Sequence, residues 1–462
     1  MDVEGTSPRP APSGNAIADY FRFEERGTNL ATEAKAGLTT FLVMAYIIVV
    51  NPSILSAAGI PVAAAAAATA LVAGLLTIAM GIFANVPIAL AAGLGINGIV
   101  AFYLAGPIDQ GGLGLSWQGA MGVIVLEGLA ILVLVLVGLR EAVMNAVPLS
   151  LKRAIGVGIG LFILFIGLVD GGLVTRPVGT GPVPVEFNFP NTVSEWVTIF
   201  GLVLTIVLFV RRVPAALLIS IVVTSIVAFL VGVTAVPEGG IALAPDFSTI
   251  GQFDVTNVWS LGALTAILVI FTIMLADFFD TMGTATAIAE QAGLTDEEGR
   301  VPQIGPLLIV DSAGAVVGGA AGISSNTSYI ESAAGVAEGG RTGFASIVTG
   351  LLFLVAIFVT PLAPLVPFNA TAPVLILVGY LMFTLIRDID FGNVEEGIPA
   401  LLTLILMPLT FSITVGIGAG FISYVLIKVV RGKITDIHPL LWAVAIAFVV
   451  YFTQAWVSTT FL

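Results

Sequence analysis

Five carboxylic acids stand inside long apolar runs of this sequence: Glu127, Asp277, Asp280, Asp311 and Glu331. None has a Lys, Arg or His at comparable depth in its run, and the single histidine, His438, lies near the C-terminus. A charge at the centre of a hydrocarbon layer costs about 2.5–3.5 kcal/mol on insertion scales, so a function is the default reading of such residues. Acids without a base suit two tasks. They take up a proton or a sodium ion, which couples a protein to an ion gradient, or they accept N–H bonds from a planar heterocycle. Asp277 and Asp280 are three residues apart and share one helix face. Asn97 and Asn326 both donate and accept, which suits a ligand with alternating donors and acceptors. Tyr46, Phe278 and Phe279 offer ring faces for stacking, although with 28 phenylalanines in the chain packing is the commoner use of any one. Glu127 and Asp311 each stand isolated among apolar or small residues. For these two, a protonated carboxyl bonded to neighbouring backbone is as good a reading as a functional one.

Missing chemistry narrows the function. The chain has no cysteine, which excludes disulfides, thiolate metal sites and cysteine nucleophiles. Without an intramembrane histidine, a membrane enzyme lacks a nucleophile–base pair, and no Walker motif is present for an ATP-driven pump. Gly93-x-Gly95-x-x-Gly98 matches a dinucleotide fingerprint in form but has no soluble βαβ unit around it. A net charge of −13, from 16 basic and 29 acidic residues, excludes a nucleic-acid surface.

The elements that must position these acids are membrane spans. Of the 462 residues, 58% are hydrophobic and 10% charged, against about 25% charged in soluble domains. The chain therefore reads as an all-α polytopic membrane protein. Apolar runs predict fourteen transmembrane spans near 36–57, 62–84, 86–104, 119–139, 150–169, 194–210, 214–235, 258–282, 304–320, 326–340, 343–360, 371–386, 397–411 and 413–430. A further apolar helix, 439–459, follows the polar linker Arg431–His438. Residues 1–35 are polar and lack the apolar core of a cleavable signal, so the first span serves as the insertion signal. With a cytoplasmic N-terminus, Arg140, Lys152, Arg153, Arg211, Arg212, Arg300, Arg341, Arg387, Arg431 and Lys433 all fall inside. Only Arg176 falls outside, as the positive-inside rule requires.

Two spans are poor helices. One contains Pro87, Gly93, Gly95 and Gly98; the other runs through Gly318, Gly319, Gly322, Ser324, Ser325, Asn326, Thr327 and Ser328 to Glu331. Ala91-Ala92-Gly93 to Asn97 aligns with Ala320-Ala321-Gly322 to Asn326 as Ala-Ala-Gly-x-x-x-Asn, at an offset of 229 residues (97 to 326). Span three then matches span ten, a seven-plus-seven repeat whose odd span number inverts the second copy. Interrupted spans at matching places of inverted repeats point to a transporter site; glycine-rich packing seams are the plainer alternative. Glu331 sits where a half-helix would begin, near free N–H groups.

Several motifs resemble the AzgA-like purine permeases of the nucleobase:cation symporter-2, or xanthine/uracil permease, family. They are Glu25-Arg26-Gly27-Thr28-Asn29, the run Ala36 to Ile47 with Asn51-Pro52, and Gly93-x-Gly95-x-Asn97. To these are added Asp277-x-x-Asp280-Thr281-x-Gly283-Thr284, the run Asn326 to Gly335, and Gly339-Gly340-Arg341-Thr342-Gly343. The likeness covers roughly residues 20–430.

The resemblance implies a core domain from spans 1–4 (36–139) and 8–11 (258–360), and a gate domain from spans 5–7 (140–257) and 12–14 (361–430). Residues 1–35 form a cytoplasmic segment, and 431–462 a linker with the extra helix. It also implies that spans three and ten each start as a short strand, the two antiparallel, with the substrate beside them. Gly93, Asn97, Asp280, Ser324, Ser325, Asn326, Thr327 and Glu331 would line the base site, and Asp277 and Glu331 would serve the cation. The Gly93 and Gly322 segments are then expected to be extended, with helices beginning near Asn97 and Asn326.

The activity so implied is secondary active import of hypoxanthine, guanine or adenine through the cell membrane. It is driven by H⁺, or alternatively Na⁺, with no cofactor and no resident metal. Xanthine or uracil transport is the nearer alternative. An anion transporter of the same fold is the further one, and Asp280 and Glu331 argue against it. The partners expected are the base and the lipid bilayer, with a homodimer left open.

Overall fold

A computed structural model describes residues 15–108, 111–138, 147–175, 177, 185–236, 244–295, 301 and 304–461. Arg140, Arg176 and Arg300, used in the orientation argument, lie outside them, as does the side chain of Phe279.

In lipid a backbone must satisfy its own hydrogen bonds, and apolar runs of about 20 residues do so as helices. Helices accordingly occupy most predicted spans. The first is broken into Leu30–Met44 and Ile47–Ser56 by the turn at Ala45–Tyr46, and Asn29 caps it by accepting from Thr32 N at 3.0 Å. Val62–Ala79, Trp117–Leu136, Leu149–Asp170, Val193–Val210 and Ala216–Leu230 follow. The second half supplies Ala263–Gln291, Ile304–Ala321, Gly343–Ala356, Phe368–Phe383, Val394–Thr410 and Ile413–Val430. Among the described residues ten helical stretches are long and apolar enough to cross a membrane. The eighth predicted span begins later and runs further than its hydropathy suggested, because the short helix Val255–Val258, capped by Asp254, precedes it.

The helices pack in two groups. Trp117–Leu136 lies along Ile304–Ala321, and Val62–Ala79 along Gly343–Ala356. In the second group Leu149–Asp170 packs on Phe368–Phe383 and Val394–Thr410, and Val193–Val210 on Ala216–Leu230. Small residues set these approaches, as expected where lipid removes the hydrophobic drive between helices. A Cβ added to Gly74, for example, would lie 2.7 Å from Leu354 Cδ2 and 2.9 Å from the Gly350 carbonyl oxygen.

Each interrupted segment contains a three-residue strand, but the strands lie beside the glycines rather than on them. Leu90–Ala92 and Asn326–Ser328 form an antiparallel two-stranded sheet, with Leu90 opposite Ser328, Ala91 opposite Thr327 and Ala92 opposite Asn326. The expected antiparallel pair is therefore present, but the helix starts differ from expectation. After the first strand a helix begins at once, Leu94–Gly98, so Asn97 lies inside it rather than at its start. After the second strand the helix waits until Ser332, six residues beyond Asn326. The Ala-Ala-Gly-x-x-x-Asn match is thus out of structural register. Gly93 follows its strand as a helix cap, whereas Gly322, at φ +77°, ends the helix that precedes the other strand. Ser324 continues that left-handed turn at φ +73°, an unusual conformation for a residue with a Cβ.

The Gly93-x-Gly95-x-x-Gly98 run is divided by role. A Cβ at Gly98 would lie 2.9 Å from Phe162, and one at Gly95 would overlap Ile159. These two glycines therefore seat Leu94–Gly98 against Leu149–Asp170, a packing seam and not a phosphate cradle.

The apolar tail forms the helix Pro439–Phe461. It packs on Ile413–Val430, with buried Phe448 against Phe421 at 6.2 Å between ring centroids, and Tyr451 Oη meets Tyr103 Oη at 3.0 Å. Deleting residues 439–461 should lower the melting temperature in detergent and leave the order of transported compounds unchanged. Competition uptake by the truncated protein checks this, and a changed order would place the helix in the site.

Candidate substrate and ion site

A two-stranded sheet inside a membrane has open edges, and each unpaired N–H or C=O there costs several kcal/mol. Side chains from the surrounding helices, and Tyr329 from the loop after the second strand, close these edges. Thr77 Oγ1 accepts from Leu90 N at 2.9 Å and donates to Leu90 O at 3.1 Å. Ser332 Oγ accepts from Ala89 N at 3.0 Å, and Tyr329 Oη donates to Ala92 O at 2.5 Å. On the other strand Asp311 Oδ1 accepts from Ser328 N at 3.0 Å and Ser328 Oγ at 2.9 Å. Beyond the paired residues, Gly93 N donates to Ser325 O at 2.8 Å and Tyr329 N to Ala89 O at 2.9 Å.

The five acids surround this sheet. Asp311 is fully engaged, since its Oδ2 also accepts from Thr281 Oγ1 at 2.7 Å, and Thr281 lies 2.7 Å from Thr327 Oγ1. Asp277 accepts from Ser325 Oγ through Oδ2 at 2.6 Å, while its Oδ1 is buried without a partner among the described residues. Glu331 stands immediately before the helix Ser332–Ala337 and accepts from Tyr46 Oη at 2.6 Å. Tyr46 reaches it from the break in the first span. Asp280 is exposed and Glu331 half-buried, and the two lie within electrostatic reach of one another. Glu127 is wholly buried, with Asp277 and Asp311 in electrostatic reach.

None of the five has a cationic partner among the described residues. The ion pairs there are Arg22–Glu25, Lys35–Glu338, and Glu395 with Lys428, Arg431 and Lys433. Three or more metal-binding side chains do not cluster among the described residues either.

The structure separates the residues singled out in the sequence into two sets. Asp280 and Glu331 form the more accessible pair, and the buried Tyr46 hydroxyl holds Glu331. Asp277, Ser325 and Thr327 form a buried set, joined through Thr281 to Asp311. Asn97 is fully buried, and both polar atoms of its side chain lack partners among the described residues. Ser324 Oγ and Asn326 Oδ1 are likewise buried and unpaired, and the Asn326 amide reaches Ser324 O at 3.5 Å. Phe278 is buried.

Sequence reasoning missed Thr77, Thr281, Ser328 and Tyr329 as the residues that close the sheet. Thr77 carries no signal in its apolar helix. The other three lie inside motifs already noted, where the acids drew the attention. The N-terminal motif serves structure as well: Arg26 Nη1 donates to Arg341 O at 2.8 Å, and buried Glu33 accepts from Arg341 N at 2.8 Å.

The helical fold pairs short strands from two interrupted spans. It is similar to the transmembrane domain of a cyanobacterial bicarbonate transporter, BicA, with a TM-score of 0.59 at 16% identity, covering 85% of this chain and 97% of that one. Residues 32–419 match the permease family Xan_ur_permease, and the chain belongs to that family. Guanine/hypoxanthine permease PbuG of Bacillus subtilis (strain 168) is 41% identical over 445 residues, covering 94% of this chain and 98% of the relative. Adenine permease AdeP of Escherichia coli (strain K12) is 39% identical over 440 residues, covering 95% and 96%.

Proposed function

We propose that this permease imports a purine nucleobase (hypoxanthine, guanine or adenine) through the cell membrane, together with a cation, most readily a proton. The observation that carries the reading is the accessible pair Asp280 and Glu331 at the end of the paired strands, with Tyr46 holding Glu331. A purine presents ring N–H groups beside ring nitrogens. Carboxylates accept the former, and the unpaired amide of Asn97 offers both a donor and an acceptor. The names of the relatives support the same substrate class. The fold neighbour's bicarbonate does not favour an anion here, because both accessible groups are acids.

In this reading the chain makes fourteen crossings as two inverted repeats, with the N-terminus cytoplasmic. The two packing groups correspond to a core domain that carries the base and a gate domain against which it moves. Short strands at matching places of the two halves support that arrangement. Asp280, Glu331 and Asn97 hold the base, and the main chain and side chains of Gly93 and Ser324 to Thr327 shape the wall behind it. Asp277 serves the cation.

Uptake of labelled adenine, guanine, hypoxanthine, xanthine and uracil into proteoliposomes, under imposed H⁺ or Na⁺ gradients, tests the proposal. Accumulation of at least one purine with a cation gradient is expected; transport of none of the five would overturn it. Asp277→Asn should abolish gradient-driven accumulation while exchange between preloaded vesicles continues. Accumulation in Asp277→Asn that still follows the pH gradient would move the coupling proton elsewhere.

A further inference from the structure

Of the five acids, Glu127 alone is left without a role in the base site or the sheet. It lies on Trp117–Leu136, 0% exposed, and neither of its carboxylate oxygens has a hydrogen-bond partner among the described residues. Its neighbours show what it could bind. Asp311 is committed to Ser328 and Thr281. Asp277 is committed on one oxygen, to Ser325, and bare on the other. This corner therefore holds three unpaired acceptors, Glu127 Oε1 and Oε2 and Asp277 Oδ1, around the single hydroxyl of Ser325, whose proton goes to Asp277.

Burying bare acceptors away from water is costly, and burying two unpaired carboxylates far more so. The groups on the elements packed against Trp117–Leu136 do not relieve this. They are Asp277, Asp280 and Glu290 on Ala263–Gln291, Asp311 on Ile304–Ala321, Asp254 before Val255–Val258, and Tyr103 on Ile99–Leu104. All are acids or a phenol. A ligand that sits among acceptors and offsets part of their shared negative charge is a cation. A nucleobase does not fit the requirement: Glu127 and Ser325 are 0% exposed and Asp277 1%, and the more accessible acids are Asp280 and Glu331.

We propose that Glu127 and Asp277 together form a monovalent-cation site, separate from the base pocket, in which one positive charge is shared by two carboxyl groups. The proposal rests on the cation-symport reading above and adds Glu127 to it. Ser325 links the two sites. Its hydroxyl donates to Asp277, and its carbonyl accepts from Gly93 N beside the strand end. Loading the cation changes what Asp277 asks of Ser325, and so bears on the backbone that shapes the base site.

The test uses the full-length protein in proteoliposomes. The wild type should accumulate base under an imposed gradient, and its base affinity should vary with the coupling cation. In Glu127→Gln, gradient-driven accumulation should fall at least tenfold and the cation dependence of base affinity should flatten, while counterflow of preloaded base continues. Glu127→Asp should restore part of the accumulation.

A second measurement needs no variant. A hydrophobic carbodiimide modifies protonated carboxyls in apolar sites, and peptide mapping of the wild type should find it on Glu127 or Asp277. Labelling that rises at low pH and ignores Na⁺ identifies the proton; protection by Na⁺ identifies sodium. Wild-type accumulation and cation dependence in Glu127→Gln, or a map with neither acid modified, overturns the proposal. A wild type that exchanges base but never accumulates it under either gradient overturns the symport reading itself.

Discussion

Glu331→Gln should weaken base binding by roughly tenfold to a hundredfold. The substitution keeps the size of the side chain and one acceptor but removes its charge. A hydrogen bond to a charged group contributes about 1.5–3 kcal/mol, against about 0.5–1.5 kcal/mol for a neutral one. Tyr46 Oη donates to Glu331 Oε1 at 2.6 Å and so fixes the carboxylate from one side, leaving its other lone pairs for a ligand. Tyr46→Phe should therefore loosen Glu331 without discharging it, and cost a smaller factor, roughly threefold to tenfold. Asn97→Ala belongs in the same smaller class, as a neutral pair of bonds in a buried place. Binding measured on purified protein, rather than uptake, checks the series. Wild-type affinity in Glu331→Gln would remove this residue from the pocket.

Asp311→Ala should be the most destabilising single change around the sheet. One carboxylate accepts from three donors: Ser328 N, Ser328 Oγ and Thr281 Oγ1. The hydroxyls can turn elsewhere, and Thr281 already lies 2.7 Å from Thr327 Oγ1. The backbone N–H of Ser328 cannot turn, and a buried donor left unmade costs about 1–3 kcal/mol. With the cavity and the lost charge-assisted bonds added, a loss of about 2–4 kcal/mol is expected. Asp311→Asn keeps one oxygen for Ser328 and should retain most of the stability. Thermal melting in detergent distinguishes the two variants. A melting point for Asp311→Ala within about 1 °C of wild type would mean that the strand edge is satisfied by another group.

How much of this was legible in the residues depends on the scale of the question. Apolar runs placed most helices, because length and hydropathy are what a bilayer selects. Pro87, Gly93 and Gly322 marked both breaks, because those residues weaken a helix wherever they stand. Register was not legible. The Ala-Ala-Gly-x-x-x-Asn match joins a glycine after one strand to a glycine before the other, since a short string of small residues serves both turns equally well. The acids were visible as anomalies, but their roles were not. Asp311 and Glu127 look alike in sequence, each isolated among apolar residues. Three donors are committed to the first, while both oxygens of the second stay unpaired beside Ser325, and that difference arises only when Ser328 and Thr281 are brought in from other segments. Asp277 and Asp280 share a helix face by spacing, yet one is 1% exposed and the other open. Neighbouring elements, rather than the periodicity of their own helix, separate them.

The central sheet also sets a schedule for assembly during synthesis. Its two strands begin at Leu90 and Asn326, 236 positions apart. At about 5–20 residues per second, the ribosome needs roughly 12–47 s to travel between them. For that interval the first strand is in the membrane with its ladder partner not yet made, and only contacts such as Thr77 with Leu90, from within the same half, are at hand. Nascent chains arrested between these two points should therefore expose Leu90–Ala92 to insertion factors and proteases. Those carried past Ser328 and Tyr329 should not.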